Sequence, residues 1–538
     1  MRHLQSIHFL LLWGFCLFGL AVPPAESAVT LDKMDLVRAR IEYQLLPTNK
    51  QAAAHPELAE FYAARRYQPV WLAQQELRPE SNLLLKQLED CTSHGLSPDR
   101  YALARIHQLS GQQDISSLAE LDLLLTLSFD RYCQDLLTGR TSPKVMDPRQ
   151  KTTIAESRPL RSLEHSLATG TLPAVLRQTL PEDMGYLRLS QALDNYRALQ
   201  TKGGWPRIAA SCQGLSPGET HPAVPQLRIR LALTNDYHSP LSFTKTFDKP
   251  LCDALKSFQA RHGLQSHGRL DAQTLDALNV PVAQRIEQIK ANLERRRWGP
   301  RQFEADHILV NMADFRLNVI EKDHPVLSMK VIVGKPYRST PAFSQTMTHL
   351  VLNPYWYVPQ SIAIRDLLPK ISRDPSFLTR QKFQVFRAKG NQSVRVDPTE
   401  IDWSSLSRDA FPFSLRQDPG PGNALGRIKF VLPNPFSVFL HDTPQRHLFD
   451  RKVRTYSSGC IRLEKPLELA RYLLRRNKGA DNDAIDHILN SSTQQVLKLD
   501  KSTPVHLVYW TAWVDQNGLQ FREDVYKRNR KLRLALRD

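Results

Sequence analysis

Apolar residues recur at helical spacing over residues 28–205. Separations of three, four and seven positions give each predicted helix one apolar stripe, which it can bury against its neighbours. One such stripe, with a single serine in it, consists of Leu121, Leu124, Leu125, Ser128, Tyr132 and Leu136. Few residues of this region suggest chemistry, so we expect it to be a helical scaffold domain.

A smaller helical unit is predicted over residues 206–283. It opens with a linker rich in Gly, Pro and Ser. Leu251 and Phe258 lie on one apolar stripe, and Asp271 is placed to cap the helix that follows. A charged helix within residues 284–304 then connects this unit to the rest of the chain.

The apolar period changes from 3.6 to 2 at residue 308, which predicts strands. The alternating positions are Ile308, Val310, Met312, Phe315, Leu317, Val319, Leu327, Met329, Val331 and Val333. Similar runs return at residues 349–352, 427–432 and 437–440. We expect a β-rich domain over residues 305–514, and therefore a multidomain α+β protein.

Two segments depart from this rhythm. Residues 363–426 are polar, contain prolines and do not alternate, so they are predicted to be an insertion. An insertion of this length is either a lid over a nearby site or a passive surface excursion, and the pattern leaves both open. Residues 515–538 are predicted to be a basic C-terminal tail in solvent.

Composition narrows the classes of protein. The 538 residues are 41% apolar and 23% charged, which fits three or four ordinary globular domains. With 72 basic against 54 acidic residues the net charge is +18, which favours contact with polyanions. The basic residues are scattered and no nucleic-acid-binding motif accompanies them, so we expect no nucleic acid partner.

The N-terminus has the pattern of an export signal. Arg2 and His3 precede the uncharged, mostly apolar run Phe9–Val22, which is too short to span a membrane comfortably. Small residues near Ser27 suggest cleavage there, which makes residues 1–27 a signal peptide; an uncleaved membrane anchor is the alternative. Either way, we expect the mature chain to act outside the cytoplasm, in the periplasm.

Five cysteines remain after the signal, and an odd number leaves at least one without an intramolecular partner. They are Cys91, Cys133, Cys212, Cys252 and Cys460. None has the spacing of a metal site, so no metal is predicted. An unpaired thiol in an exported protein is either a buried, inert cysteine or a candidate nucleophile.

The strongest candidate chemistry lies near the end of the β-rich domain. His441 directly follows a predicted strand, and Cys460 stands nineteen residues later, shortly before a predicted helix. A helix N-terminus favours a thiolate, and a histidine can take the thiol proton. Gly459 allows a turn that presents backbone N–H groups to an oxyanion.

These residues belong to strings that resemble the active-site signature of the YkuD-fold L,D-transpeptidases. The quoted strings are His441-Asp442-Thr443-Pro444 and Ser457-Ser458-Gly459-Cys460-Ile461-Arg462-Leu463. The large YcbB-like branch is similar at further places, Asn353-Pro354-Tyr355-Trp356-Tyr357-Val358-Pro359 and Pro419-Gly420-Pro421-Gly422-Asn423-Ala424-Leu425-Gly426. Residues 258–279 resemble the three-helix peptidoglycan-binding domain.

The resemblance implies a peptidoglycan crosslinking enzyme that needs no cofactor. Cys460 would form a thioester with a tetrapeptide stem and release D-alanine, and a second stem would resolve it to a 3→3 crosslink. His441 would be the general base and acid, and backbone N–H groups of Ser458, Gly459 and Cys460 would bind the oxyanion. Much of the family has His where this chain has Ser458. The family further implies acylation by carbapenems.

Five other residues are candidates for binding the substrate, which would be the stem peptides and glycan of peptidoglycan. Arg454 and Arg462 either bind stem carboxylates or pair with acidic neighbours. Ser457 either orients His441 or caps the following helix, and a structural hydrogen bond is favoured. Trp356 and Tyr357 either line the donor groove or pack in a core. With water as acceptor the enzyme would be an L,D-carboxypeptidase or endopeptidase; a non-catalytic wall-binding protein is the other alternative.

Overall fold

The structure is a computed structural model. It describes residues 32–49, 53–150, 158–476 and 482–537. The predicted signal peptide at residues 1–27 lies outside the described residues. In the described part of the chain, no helix combines the length and the apolar character that crossing a membrane requires.

The first region is the expected bundle of helices. Its helices are Lys33–Gln44, Pro56–Ala64, Pro79–Glu89, Leu103–Ser110, Ile115–Thr138, Leu160–Ala168, Leu172–Thr179 and Met184–Thr201, with the small hairpin β1 (Leu72–Ala73) and β2 (Glu76–Leu77). The predicted stripe lies on Ile115–Thr138, whose N-terminus is capped where Asp114 accepts the Ser117 N–H at 3.0 Å. This helix is central to a core that spans residues 37–176.

The second helical unit has its own core, centred on Phe247 and Phe258. Its helices are Val224–Ala232, Lys249–Arg261 and Ala272–Leu278. The predicted cap is confirmed, because Asp271 accepts the Thr274 N–H at 2.7 Å. The predicted connecting helix is Val282–Arg297, and it packs along Met184–Thr201 through a shared apolar cluster.

The remaining strands form the β-rich domain and its additions. They are β3 (His307–Asn311), β4 (Arg316–Glu321), β5 (His324–Gly334), β6 (Phe343–Leu352), β7 (Trp356–Tyr357), β8 (Phe383–Lys389), β9 (Gln392–Val396), β10 (Phe413–Gln417), β11 (Ile428–Val431), β12 (Leu440–His441), β13 (Thr455–Ser457), β14 (Ile461–Leu463), β15 (Gln495–Val508), β16 (Ala512–Asp515) and β17 (Gly518–Phe521). Helices Pro466–Arg475 and Asn482–Ser491 lie between β14 and β15.

In the described part of the chain, the main sheet runs in the order β13-β5-β14-β12-β11-β6-β15-β3-β4. Because β4 also pairs with β5, the ladder closes into a ring around one apolar core. Most neighbours are antiparallel, but three pairs run parallel: β12 with β14, β15 with β3, and β13 with β5. The parallel pair β12–β14 positions the candidate site.

Three features of this domain differ from the sequence prediction. The 14-residue strand β15 pairs with both β6 and β3 but was not predicted, since a register shift between Lys498 and Thr503 breaks its alternation. The insertion does contain strands: its sheet runs β7-β10-β8-β9 over a separate core. It also starts earlier than predicted, because β7 at Trp356–Tyr357 pairs with β10.

The C-terminal segment is not a solvated tail, which corrects the prediction for residues 515–538. β16 and β17 form a hairpin, and helix Arg528–Ala535 buries Leu532 completely. Tyr526 Oη donates to the Gly334 carbonyl at 2.7 Å, and Arg528 donates to the Thr340 carbonyl at 3.1 Å. The segment therefore supports the turn after β5, beside the candidate site.

Candidate active site

Cys460 and His441 belong to two neighbouring parallel strands: His441 ends β12, and Cys460 directly precedes β14. The register pairs Leu440 with Ile461 and His441 with Arg462, and the Ile461 N–H donates to the Phe439 carbonyl at 3.1 Å. Leu440 and Ile461 both point into the apolar core. Because side chains alternate along a strand, Cys460 and His441 lie on the same outer face.

The His441 imidazole is buried and has a lowered pKa. Its ring is buried, and Nδ1 lies 2.5 Å from the Asp442 carbonyl oxygen. Since a carbonyl can only accept, Nδ1 carries the proton and Nε2 is left with its lone pair. Burial, and after it the Arg462 charge, lower the pKa of His441 from 6.5 to about 3.

The Cys460 thiol is partly exposed at the surface, with Sγ 3.8 Å from the Ser437 carbonyl oxygen. Burial among its neighbours raises the pKa of Cys460, while a backbone hydrogen bond with Phe439 and the charges of Lys429 and Arg462 oppose this rise. The resting pair is therefore a thiol beside a neutral imidazole, rather than a thiolate beside an imidazolium.

The predicted helix dipole does not act on Cys460, which is a correction. Strand β14 follows the cysteine directly, and the next helix begins only at Pro466. The field of a helix N-terminus falls off within about one turn, so it contributes little six residues away. The positive potential at the sulfur comes instead from the side chains of Lys429 and Arg462.

The loop before Cys460 is held by one buried serine. Ser457 Oγ donates to the Cys460 carbonyl at 2.5 Å and accepts the Gly459 N–H at 3.1 Å. Gly459 has φ +126°, a conformation that favours glycine. Within the described residues, the N–H groups of Ser458 and Cys460 have no acceptor. Of the three predicted oxyanion donors, these two are available, and Gly459 N–H is used inside the loop.

Two further contacts support this loop from outside. Thr340 Oγ1 donates to the Gly459 carbonyl at 2.8 Å and accepts the Gly334 N–H at 2.9 Å. Arg338 donates to Ser458 Oγ at 3.0 Å and forms an ion pair with Asp366 of the insertion. The insertion is thereby connected, through one arginine, to the loop that carries the cysteine.

Two of the predicted substrate ligands make hydrogen bonds inside the protein. Arg454 donates to the carbonyls of Val331, Arg451 and Phe315 at 3.2, 2.9 and 3.0 Å, so three of its five N–H groups hold the surrounding backbone. Ser457 is buried and makes the structural hydrogen bonds that were its alternative role. Ser457 is therefore used inside the loop, and a role of Arg454 in binding a stem carboxylate stays a prediction.

The other three candidates are placed differently from one another. Arg462 lies beside His441, with Nη1 2.7 Å from Gln445 Oε1, and its buried Nε has no hydrogen-bond partner. Trp356 packs on Phe383 in the core of the insertion, with ring centroids 6.0 Å apart. Tyr357 is 68% exposed. Of these three candidates, Arg462 is the one that the structure places opposite His441, on the strand that follows the cysteine.

Sequence reasoning missed Lys429 and Arg338. Lys429 is the register partner of His441 on β11, and its position in the alternating run 427–432 was the available signal. Arg338 lies in a turn 120 residues before the loop it contacts, so no local pattern indicates it.

In the described residues, no cluster of three or more His, Cys, Asp or Glu side chains could hold a metal ion. The cysteines Cys91, Cys133, Cys212 and Cys252 are buried and unpaired.

The comparisons with known families agree with this architecture. Residues 305–506 match the L,D-transpeptidase catalytic domain, YkuD; residues 220–278 match a "Putative peptidoglycan binding domain"; and residues 56–193 match a scaffold domain. The chain thus carries the catalytic domain of the YkuD L,D-transpeptidase family, joined to a helical scaffold and a peptidoglycan-binding domain.

The individual relatives either match less than half of this chain or have low sequence identity to it. A Haemophilus influenzae protein named "Putative L,D-transpeptidase" is 36% identical over 228 residues, which are 42% of this chain and 45% of that protein. The chain therefore spans under half the length of this curated relative. L,D-transpeptidase structures from Xylanimonas cellulosilytica and Stackebrandtia nassauensis are 13% and 12% identical, cover 55% of this chain and 98% and 94% of theirs, and have TM-scores of 0.16 and 0.21.

Proposed function

We propose that this chain is an exported, periplasmic L,D-transpeptidase that forms 3→3 crosslinks between peptidoglycan stem peptides. The observation that carries the proposal is the placement of Cys460 beside His441 on one outer face, at adjacent parallel strands of a YkuD domain. The peptidoglycan-binding domain would bring the chain to its substrate. Export rests on the apolar run Phe9–Val22.

The first half-reaction transfers an acyl group to sulfur. As Cys460 Sγ attacks the carbonyl carbon between the third stem residue and D-alanine, its proton passes to Nε2 of His441. The negative charge that develops on the carbonyl oxygen faces the free N–H groups of Ser458 and Cys460, an interaction typically worth about 3–4 kcal/mol per donor. His441 then protonates the departing amine, so that D-alanine leaves and a thioester remains.

The second half-reaction reverses these proton movements. The side-chain amine of a second stem attacks the thioester carbon, His441 takes a proton from the nitrogen, and the C–S bond breaks. The proton returns to sulfur, which restores the thiol and the neutral imidazole. A neutral His441 can accept in both halves, because its lowered pKa keeps Nε2 unprotonated at neutral pH.

Purified tetrapeptide muropeptides test the proposal. We expect the wild-type chain to yield crosslinked dimers and free D-alanine, and Cys460→Ala to yield neither. Cys252→Ala removes a buried thiol from the peptidoglycan-binding unit and should keep full activity. Tripeptide without dimers would favour the L,D-carboxypeptidase alternative. No product from any variant, with intact binding to peptidoglycan, would favour a non-catalytic wall-binding protein.

Carbapenem acylation gives an independent test of the thiol. A reactive thiol beside a base should open the β-lactam ring and gain the mass of the drug. We expect an adduct on Cys460 in the wild-type chain and none in Cys460→Ala. An adduct on Cys212 or Cys252 instead would contradict the assignment of the nucleophile.

A further inference from the structure

Lys429 lies at the centre of the outer face that carries the candidate site. On β11 it pairs with His441 of β12 on one side and with Val351 of β6 on the other. Its neighbours along the strand, Ile428 and Phe430, are buried in the apolar core. By alternation the Lys429 side chain is on the outer face with His441 and Cys460.

The surroundings of the Lys429 ammonium are unusual for a lysine. The side chain is partly buried, and Nζ lies 4.1 Å from the centroid of the Phe439 ring. That ring lies 5.6 Å from the ring of His441, centroid to centroid. Among the described residues no carboxylate forms an ion pair with Lys429, so the cation has an aromatic face but no anion.

A partly buried cation without a counterion is costly, since water is removed and nothing of opposite charge replaces it. Burial accordingly lowers the pKa of Lys429, and the charge of Cys460 is the one influence that raises it. The effect is mutual: the charge of Lys429 lowers the pKa of Cys460. The anion that matches this ammonium is therefore the thiolate.

We propose that Lys429 is a positioning charge of the active site, which stabilises the Cys460 thiolate in place of the helix N-terminus that this domain does not supply. The proposal extends the proposed function, since it names the group that makes its nucleophile reactive. Lys429 would act most strongly when the proton has moved to His441 and the sulfur is anionic.

The other charged or titratable groups on this face do not offer Lys429 a different partner. Arg462 on β14 is a second cation beside the sulfur. His349 on β6 has its pKa lowered by burial and by the charges of Lys429 and Lys498, so it is neutral at neutral pH. His441 is neutral as well. None of these three residues is acidic. Glu464, which directly follows β14, forms its ion pair with Lys330 at 3.5 Å. Of the groups named as neighbours of Lys429, Cys460 is therefore the one that can become an anion.

The pH dependence of Cys460 alkylation tests the proposal without requiring turnover. Full-length wild type, Lys429→Gln and Lys429→Arg would be treated with iodoacetamide between pH 5 and 10, with modification of Cys460 followed by mass spectrometry. Removing a nearby opposite charge typically shifts a thiol midpoint by about one unit or more. We expect Lys429→Gln to raise the midpoint by about one unit and Lys429→Arg to restore it.

Lys498→Gln is the matched control, because it removes the same charge from the same face on β15, two strands beyond β11. Its alkylation midpoint should stay at the wild-type value. An unchanged midpoint in Lys429→Gln, with an unchanged thermal midpoint, would overturn the proposal. So would an unchanged midpoint with a raised KM for tetrapeptide, which would make Lys429 a substrate ligand.

The two proposals fail separately in this design. A shifted midpoint in a protein that makes no crosslinks would leave the role of Lys429 standing and refute the transpeptidase. If Lys429→Gln forms crosslinks as fast as the wild type and has an unshifted midpoint, the transpeptidase proposal stands and the role of Lys429 is refuted. Lys429→Met keeps the apolar part of the side chain on Phe439, so it separates loss of charge from loss of packing.

Discussion

The acylation rate should stay nearly constant down to acid pH, because the reacting histidine resists protonation. At pH 5 a histidine with the ordinary pKa of about 6.5 is only about 3% neutral, so a reaction that needs its lone pair would slow about 25-fold between pH 7 and 5. With its pKa lowered to about 3, His441 is still almost fully neutral at pH 5. The expected loss over this range is therefore negligible.

The measurement is the burst of D-alanine release in the first turnover, between pH 4 and 8, which isolates acylation from attack by the acceptor amine. Arg462→Gln provides the comparison. Since the Arg462 charge is the second cause of the lowered pKa, its removal should move the acid limb of the profile upward, toward neutral pH.

A wild-type acid limb with a midpoint near 6.5 would refute this reasoning. It would mean that His441 is solvated and ordinary in the working enzyme. A limb that stays in place when Arg462 is replaced would show that the Arg462 charge does not contribute, and would leave burial and the charge of Lys429 as the causes of the lowered pKa. Thermal midpoints at each pH control for acid unfolding.

Three further changes test the support of the active-site loop. Ser457→Ala leaves the Gly459 N–H and the Cys460 carbonyl without their partner. We expect the free energy of unfolding to fall by about 1–3 kcal/mol and the D-alanine burst to slow. Neither effect should appear if other contacts mainly hold the loop. Asp366→Asn removes the ion pair between the insertion and Arg338. Because this pair is partly exposed, the free energy of unfolding should change by less than about 1 kcal/mol, while the D-alanine burst slows. An unchanged burst would show that this contact with the insertion does not affect acylation. Gly334→Ala places a Cβ 2.2 Å from a backbone oxygen of the next turn and should lower the thermal midpoint sharply, whereas Gly111→Ala meets open space and should not.

Local patterns were sufficient for the helices and for much of the sheet. The stripe around Leu121 is on the long helix Ile115–Thr138, and Asp271 caps the helix that it precedes. These features depend on contacts within about one or two turns, so the sequence contains them directly. The alternating strands between residues 307 and 334 pair as consecutive neighbours, which is also a local relation.

Features that depend on distant pairing could not be found in this way. β15 is recognisable as a strand mainly because β6 and β3 lie on either side of it, since its own alternation is broken between Lys498 and Thr503. Arg454 shows the same limit at a functional position. Its place in the signature suggested a ligand, and nothing in the sequence indicated that its guanidinium also donates to the carbonyls of the distant residues Val331 and Phe315.

The candidate site shows that a motif can identify a residue such as Cys460 without revealing which charges act on it. The sequence placed Cys460 before a helix and so suggested a dipole as the source of its reactivity. In the fold, a three-residue strand intervenes, and pairing across β11, β12 and β14 brings Lys429 and Arg462 to the same face instead. Lys429 precedes Cys460 by 31 positions, and only the ladder makes them neighbours. Strand register decides which charged side chains lie near the sulfur. A sequence motif can therefore identify the nucleophile, but not the charged groups on neighbouring strands that activate it.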